Sequence, residues 1–105
     1  YELYCVSKYP ALPIDIYLPP PRVYDGFSDH TTSTVIPALA VARGARIIEK
    51  HFRTDDAPQD SPDYGHSLPP AAFSEMVRNI RLAEMVCWRT PPTEPEMVQY
   101  PNRRE

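Results

Sequence analysis

Fourteen prolines against three glycines in 105 residues set the limits on what this chain can fold into. Proline fixes φ and has no N–H to donate, so it ends strands and breaks helix interiors. Pro10 therefore closes a first β-type run at residues 3–6, and Pro13, Pro19, Pro20 and Pro21 remove residues 11–22 from any helix. Three windows remain before the middle of the chain. Residues 22–27 read as a short strand with Gly26 inside it, and residues 46–52 as another. Between them, residues 34–43 are rich in helix formers, with Pro37 in the tolerated first turn and Gly44 as a C-cap. Residues 53–68 form a polar loop. A last helix is expected from about Pro70, with Ser67 as N-cap. Phe73, Met76, Val77, Ile80, Leu82, Ala83 and Val86 follow amphipathic spacing, which makes the Met76 and Ile80 stripe core, with Trp88 packing just beyond it. Residues 90–105 read as a proline-rich linker or tail.

The strand–helix–strand step calls for parallel strands with a right-handed crossover, hence an α/β fold. Three such strands do not close a core alone, so the sequence reads as part of a larger sheet or barrel. The chain also opens on Tyr1, in strand-like sequence and without Met. Its formal charge of −3 and pI near 5.6 leave no electrostatic footprint for nucleic acid. No apolar run approaches the roughly 18–20 residues that span a membrane. The absence of a signal-peptide layout makes a cytoplasmic setting the expectation. Cys5 and Cys87 are too few for a disulfide scaffold and read as reduced thiols.

Chemistry gathers at two strand ends, Ser28-Asp29-His30-Thr31 and Glu49-Lys50-His51-Phe52. Imidazoles at the carboxyl ends of adjacent parallel strands can converge on one ion, and neutral imidazole suits Mn, Fe, Co or Zn. The alternative is two unrelated polar histidines. Strand alternation puts Ser28 with His30, and Glu49 with His51, on one face, while Lys50 points away to pack or pair. Glu49 there can orient a substrate hydroxyl or move a proton, or simply form a strand-end salt bridge. Ser28 can hydrogen-bond an anion or act as a local cap. Ser7 and Tyr9 extend the polar face, and Asp63 projects from the long loop. Lys8 and His66 are further candidates.

Together, Cys5-Val6-Ser7-Lys8-Tyr9-Pro10, Gly26-Phe27-Ser28-Asp29-His30-Thr31, Gly44-Ala45-Arg46-Ile47-Ile48-Glu49-Lys50-His51-Phe52, Pro62-Asp63 and Ser67-Leu68 resemble the carboxyl-terminal part of the catalytic barrel of sialic acid synthases. The resemblance covers roughly residues 3–88. It implies about the last three βα units of a (β/α)₈ TIM barrel, without the antifreeze-like domain that usually follows. It further implies condensation of phosphoenolpyruvate with an N-acetylated amino sugar resembling N-acetylmannosamine. By the same resemblance His30 and His51 hold a divalent ion, Mn²⁺ by preference with Mg²⁺ or Co²⁺ as alternatives. Ser7 and Ser28 bind phosphoenolpyruvate, Tyr9, Glu49 and Asp63 contact the sugar, and Glu49 is the catalytic candidate.

The sequence departs from the family pattern at Tyr4, where His is usual, and at Ser61, where Gly is usual. Leu18-Pro19-Pro20-Pro21-Arg22 replaces a helix, which should expose the outer face of two strands at about 25 cal/mol per Å². The five preceding strands and their phosphoenolpyruvate-binding lysines are also missing from the sequence. A fragment inactive by itself is therefore expected, or else a non-catalytic module that completes a split barrel with an upstream half or self-associates.

Overall fold

A computed structural model describes residues 1–88; the tail expected at 90–105 lies outside them. The order is β1 (Leu3–Cys5), a 3₁₀ turn (Pro13–Asp15), β2 (Gly26–Asp29), α1 (Ile36–Ala42), β3 (Ile47–Lys50), a second 3₁₀ turn (Tyr64–His66) and α2 (Pro70–Cys87). The strands form one parallel sheet in the order β1-β2-β3, as the α/β reading requires. No helix of the described residues is long and apolar enough to cross a membrane.

The pleat sorts this sheet into two chemically different faces. Register aligns Tyr4, Phe27 and Ile48 in one row. That row faces the core, where buried Phe27, Ile36 and Ala40 meet Tyr4, Ile16, Leu18, Ala45 and Ile48. The next row, Cys5, Ser28 and Glu49, faces the other way and is polar. Outside the core layer α2 packs on α1. Met76 is buried, and the Trp88 indole donates to the Val41 carbonyl at 2.9 Å, so the end of α2 is pinned to α1.

Gly26 is required by this register. A Cβ there would lie 2.1 Å from the Ile47 carbonyl oxygen, so only glycine lets β2 and β3 approach.

Several boundaries differ from the expected ones. β2 starts at Gly26, not at residue 22, because the chain turns first: Arg22 has φ 72° and the Asp25 N–H is tied to the Glu2 carbonyl. β2 also continues to Asp29, a carboxylate fully buried against Lys50. α1 starts two residues later than expected, where the Ser33 hydroxyl accepts from the N–H groups of Val35 and Ile36. Gly44, at φ 113°, follows its end. Ser67 does not cap α2, whose N-cap is Pro69; its hydroxyl donates instead to the Tyr64 carbonyl at 3.0 Å.

The exposed outer face expected from the shortened 11–25 connection is also corrected. Ile16 and Leu18, on extended chain after the first 3₁₀ turn, pack over Phe27 and take the place of a covering helix.

Candidate metal centre and active-site face

The site forms where β2 and β3 end. On the polar face the Ser28 hydroxyl donates to Glu49 Oε1 at 2.6 Å, joining the two strands through the residues expected to share that face. One step further along, His30 and His51 bring their rings to 5.8 Å between centroids. His30 Nδ1 lies 3.2 Å from the Val6 carbonyl and 3.3 Å from Cys5 Sγ, which leaves Nε2 for any ligand. Tyr9 stands against His30 and against His66 of the long loop, its ring 4.5 Å from the first and 5.1 Å from the second. The link after β1 is docked by the Ala11 N–H, which donates to the His30 carbonyl at 2.8 Å. Ser7 is exposed near the end of β1.

Lys50 points to the opposite face, as alternation demands, but it is not at the surface. Its ammonium lies 3.3 Å from Asp29 Oδ2, and it also donates to the Asp29 and Thr31 carbonyls. Side-chain exposure is 1% for Lys50 and 0% for Asp29. Burial pushes the Lys50 ammonium below its usual range, and the Asp29 charge opposes that shift. Asp29 also accepts from the backbone N–H and hydroxyl of Thr31, each at 3.0 Å. This pair locks the strand ends from behind and is no part of the chemistry-bearing face. Lys8, the other cationic candidate, pairs with Asp15 at 3.2 Å on the surface.

The long loop supplies what the strands do not. Asp63 Oδ1 is 3.2 Å from His66 Nε2, and Oδ2 is 3.6 Å from His51 Nδ1. Ligand atoms of His51, Asp63 and His66 all lie within 4.8 Å of one another. The His66 ring is 4.8 Å from that of His51 and 5.5 Å from that of His30. His66 is buried, and this holds its imidazole below the ordinary value; His51 pushes the same way and Asp63 opposes. Two imidazoles and a carboxylate fit a divalent transition metal. The sequence signal for His66 is Asp63-x-x-His66, because a 3₁₀ turn stacks positions i and i+3.

The structure thus brings together His30, His51, Tyr9, Asp63 and His66, with Ser28 and Glu49 joined beside them; Ser7 stays apart from these contacts. A model of the NeuB family matches residues 2–89. The chain is 40% identical over 91 residues to an N,N'-diacetyllegionaminic acid synthase of Legionella pneumophila, covering 80% of this chain and 25% of that protein. It is 37% identical over 90 residues to the human N-acetylneuraminate-9-phosphate synthase, covering 78% and 25%. Among solved structures, an N-acetylneuraminic acid synthetase from Leptospira borgpetersenii, in complex with citrate, superposes with a TM-score of 0.68 at 32% identity. That likeness covers 90% of this chain and 36% of the other. The chain therefore spans about a quarter of the length of the curated relatives it matches. On the family match over residues 2–89, the chain belongs to the NeuB family.

Proposed function

We propose that this chain carries the metal- and sugar-facing side of a nonulosonate synthase barrel, in which phosphoenolpyruvate condenses with an N-acetylated amino sugar. The observation that carries the reading is the convergence of His30 and His51 at adjacent strand ends, beside the Ser28–Glu49 hydrogen bond. His30 and His51 are the imidazoles on which a divalent ion, Mn²⁺ by preference, would be held. Such an ion supplies Lewis acidity toward the sugar's aldehyde oxygen.

The remaining roles fall to the chain's own groups. Ser7 is a donor for the anionic phosphoenolpyruvate, and Ser28 becomes one when its hydroxyl turns from Glu49 to the bound anion. Glu49 orients a sugar hydroxyl and is placed to hold or release its proton at Oε. Asp63 and Tyr9 bound the sugar from the loop side and from above His30. The setting proposed is cytoplasmic, where phosphoenolpyruvate is available.

The three-stranded sheet leaves β1 and β3 as edges among the described residues, which favours a form completed by an upstream barrel half or by a second copy. The test is phosphate release from phosphoenolpyruvate and N-acetylmannosamine. The chain alone should be inactive, and mixing it with an upstream-half polypeptide should produce turnover that Glu49→Gln removes. Turnover by the pure chain would refute the dependence on a missing half. Failure of every mixed pair, with complex formation demonstrated, would refute the synthase reading itself.

A further inference from the structure

The position of His66 is fixed by more than its own turn. Beyond β3 the chain leaves at Thr54 and returns alongside itself, so that Phe52 and Leu68 form a parallel bridge. The Leu68 N–H donates to the His51 carbonyl at 2.9 Å, and the Arg53 N–H donates to the Leu68 carbonyl at 3.0 Å. The Arg53 guanidinium then lies 4.1 Å from the centre of the Tyr64 ring and donates to the Tyr64 and Ser67 carbonyls. Residues 64–67 are clamped on both sides of His66, directly beside His51. The His66 side chain is only 6% exposed, yet its Nε2 faces a carboxylate from a residue three positions earlier.

The donor separations approach what a metal needs. Two donors each about 2.1 Å from one ion, at angles of about 90–110°, lie about 3.0–3.4 Å apart. The His66 Nε2–Asp63 Oδ1 separation of 3.2 Å falls in that range, and the His51 Nδ1–Asp63 Oδ2 separation of 3.6 Å is just outside it. They run to different carboxylate oxygens, so the three donors, all within 4.8 Å of one another, close on one ion through both oxygens or by a small rotation of Asp63. His30, by contrast, has Nδ1 engaged by Val6 and Cys5 and is not among the three mutually close donors.

We propose that His66 is a metal ligand, and that His51, Asp63 and His66 form a two-imidazole, one-carboxylate core for a divalent transition-metal ion. The inference deepens the metal site of the proposed synthase and rests on that reading for the role of the ion; binding rests on the donor set alone. It adds to the His30–His51 pair a carboxylate and an imidazole from the loop, and His30 can join only through Nε2. Three protein donors leave coordination positions open for a substrate oxygen. Two imidazoles also set an order of raw affinity, with Co²⁺ bound more tightly than Mn²⁺ and Mg²⁺ competing poorly, so a working preference for Mn²⁺ comes from metal availability rather than from affinity.

The experiment is titration of the untagged, chelator-stripped chain with Mn²⁺ and Co²⁺ by calorimetry, with the visible spectrum of bound Co²⁺ as a second readout. The set is wild type, His66→Ala, His51→Ala, His30→Ala and Asp63→Asn. His66→Ala should weaken binding by about tenfold or more and alter the Co²⁺ spectrum, as should His51→Ala. Asp63 is exposed, so Asp63→Asn reports on ligation without threatening the fold, and it should weaken binding too. Circular dichroism melts confirm that each variant is folded. Loss of binding in His30→Ala and His51→Ala, with His66→Ala and Asp63→Asn unchanged, would overturn the inference and leave the paired-histidine reading standing. Absence of binding in the wild type would overturn it as well, while the synthase reading would still be decided by phosphate release.

Discussion

Replacing Lys50 by Met tests how the two strand ends are held. The substitution keeps the length of the side chain and removes its ammonium from a pocket where both partners are essentially unexposed. Asp29 keeps two hydrogen bonds from Thr31, so its carboxylate is not stripped bare, but its only charge partner in the pair is gone. Breaking a buried ion pair by removing one side costs about 3–5 kcal/mol. Stability for 88 described residues, at about 0.05–0.15 kcal/mol each, is about 4–13 kcal/mol, so the loss is a large share of the total. With a urea m-value of about 1.5 kcal/mol/M, the midpoint should fall by about 2–3 M. The assay is urea unfolding followed by circular dichroism and Trp88 fluorescence, with the two probes required to coincide. Adding Asp29→Asn should restore at least half of the loss, because an amide still accepts from the Thr31 N–H and carries no charge. A midpoint shift below about 0.7 M, corresponding to about 1 kcal/mol, would refute the argument and show Lys50 to be solvated.

Other expectations follow from single contacts. Gly26→Ala should cost about 3 kcal/mol or more and give insoluble or molten protein, since its Cβ meets the Ile47 backbone at 2.1 Å; native melting behaviour would contradict the β2–β3 register. Ser28→Ala removes the 2.6 Å bond to a carboxylate that is otherwise solvated, so it should cost only about 1 kcal/mol while lowering phosphoenolpyruvate turnover in the reconstituted enzyme. In the metal-free chain, burial of His66 lowers its folded pKa below 6.5, so the native state binds fewer protons than the unfolded state. Its contribution is present above pH 6.5 and is lost as pH falls through the lower folded value. His66→Gln should flatten that part of the stability curve measured by urea titration, and an unchanged slope would remove the burial argument.

Where periodicity was strong, the fold was readable. The helix former run around Ala38 to Val41 and the stripe through Phe73, Met76 and Ile80 became α1 and α2, and Ile47-Ile48 became the centre of β3. The start of β2 is hidden in the sequence because Val23 and Tyr24 look like strand residues, whereas the chain bends through them after a turn with Arg22 at positive φ. Its true end, Asp29, looks like a loop residue until Lys50 is known to lie beside it. Alternation did place Ser28 and Glu49 on one face, a two-residue argument that needs no tertiary information. His66 is less legible. Its nearness to His51 depends on a loop returning to its own starting strand, and only the short-range half of that relation, Asp63-x-x-His66, is written locally.

The division of labour across the sheet has a further consequence for how the chain tolerates change. In β2 and the residue after it, Phe27 and Asp29 serve the core side while Ser28 and His30 lie on the polar face; in β3 and the residue after it the parity is reversed, with Ile48 and Lys50 behind and Glu49 and His51 in front. Point substitutions can therefore tune one function with little effect on the other. A deletion or insertion of one residue inside either strand cannot, because it exchanges the two sets at once. Such a frame change would send Glu49 and His51, or Ser28 and His30, into the apolar layer and turn Ile48 or Phe27 toward the polar face, so the core and the polar cluster would be lost together.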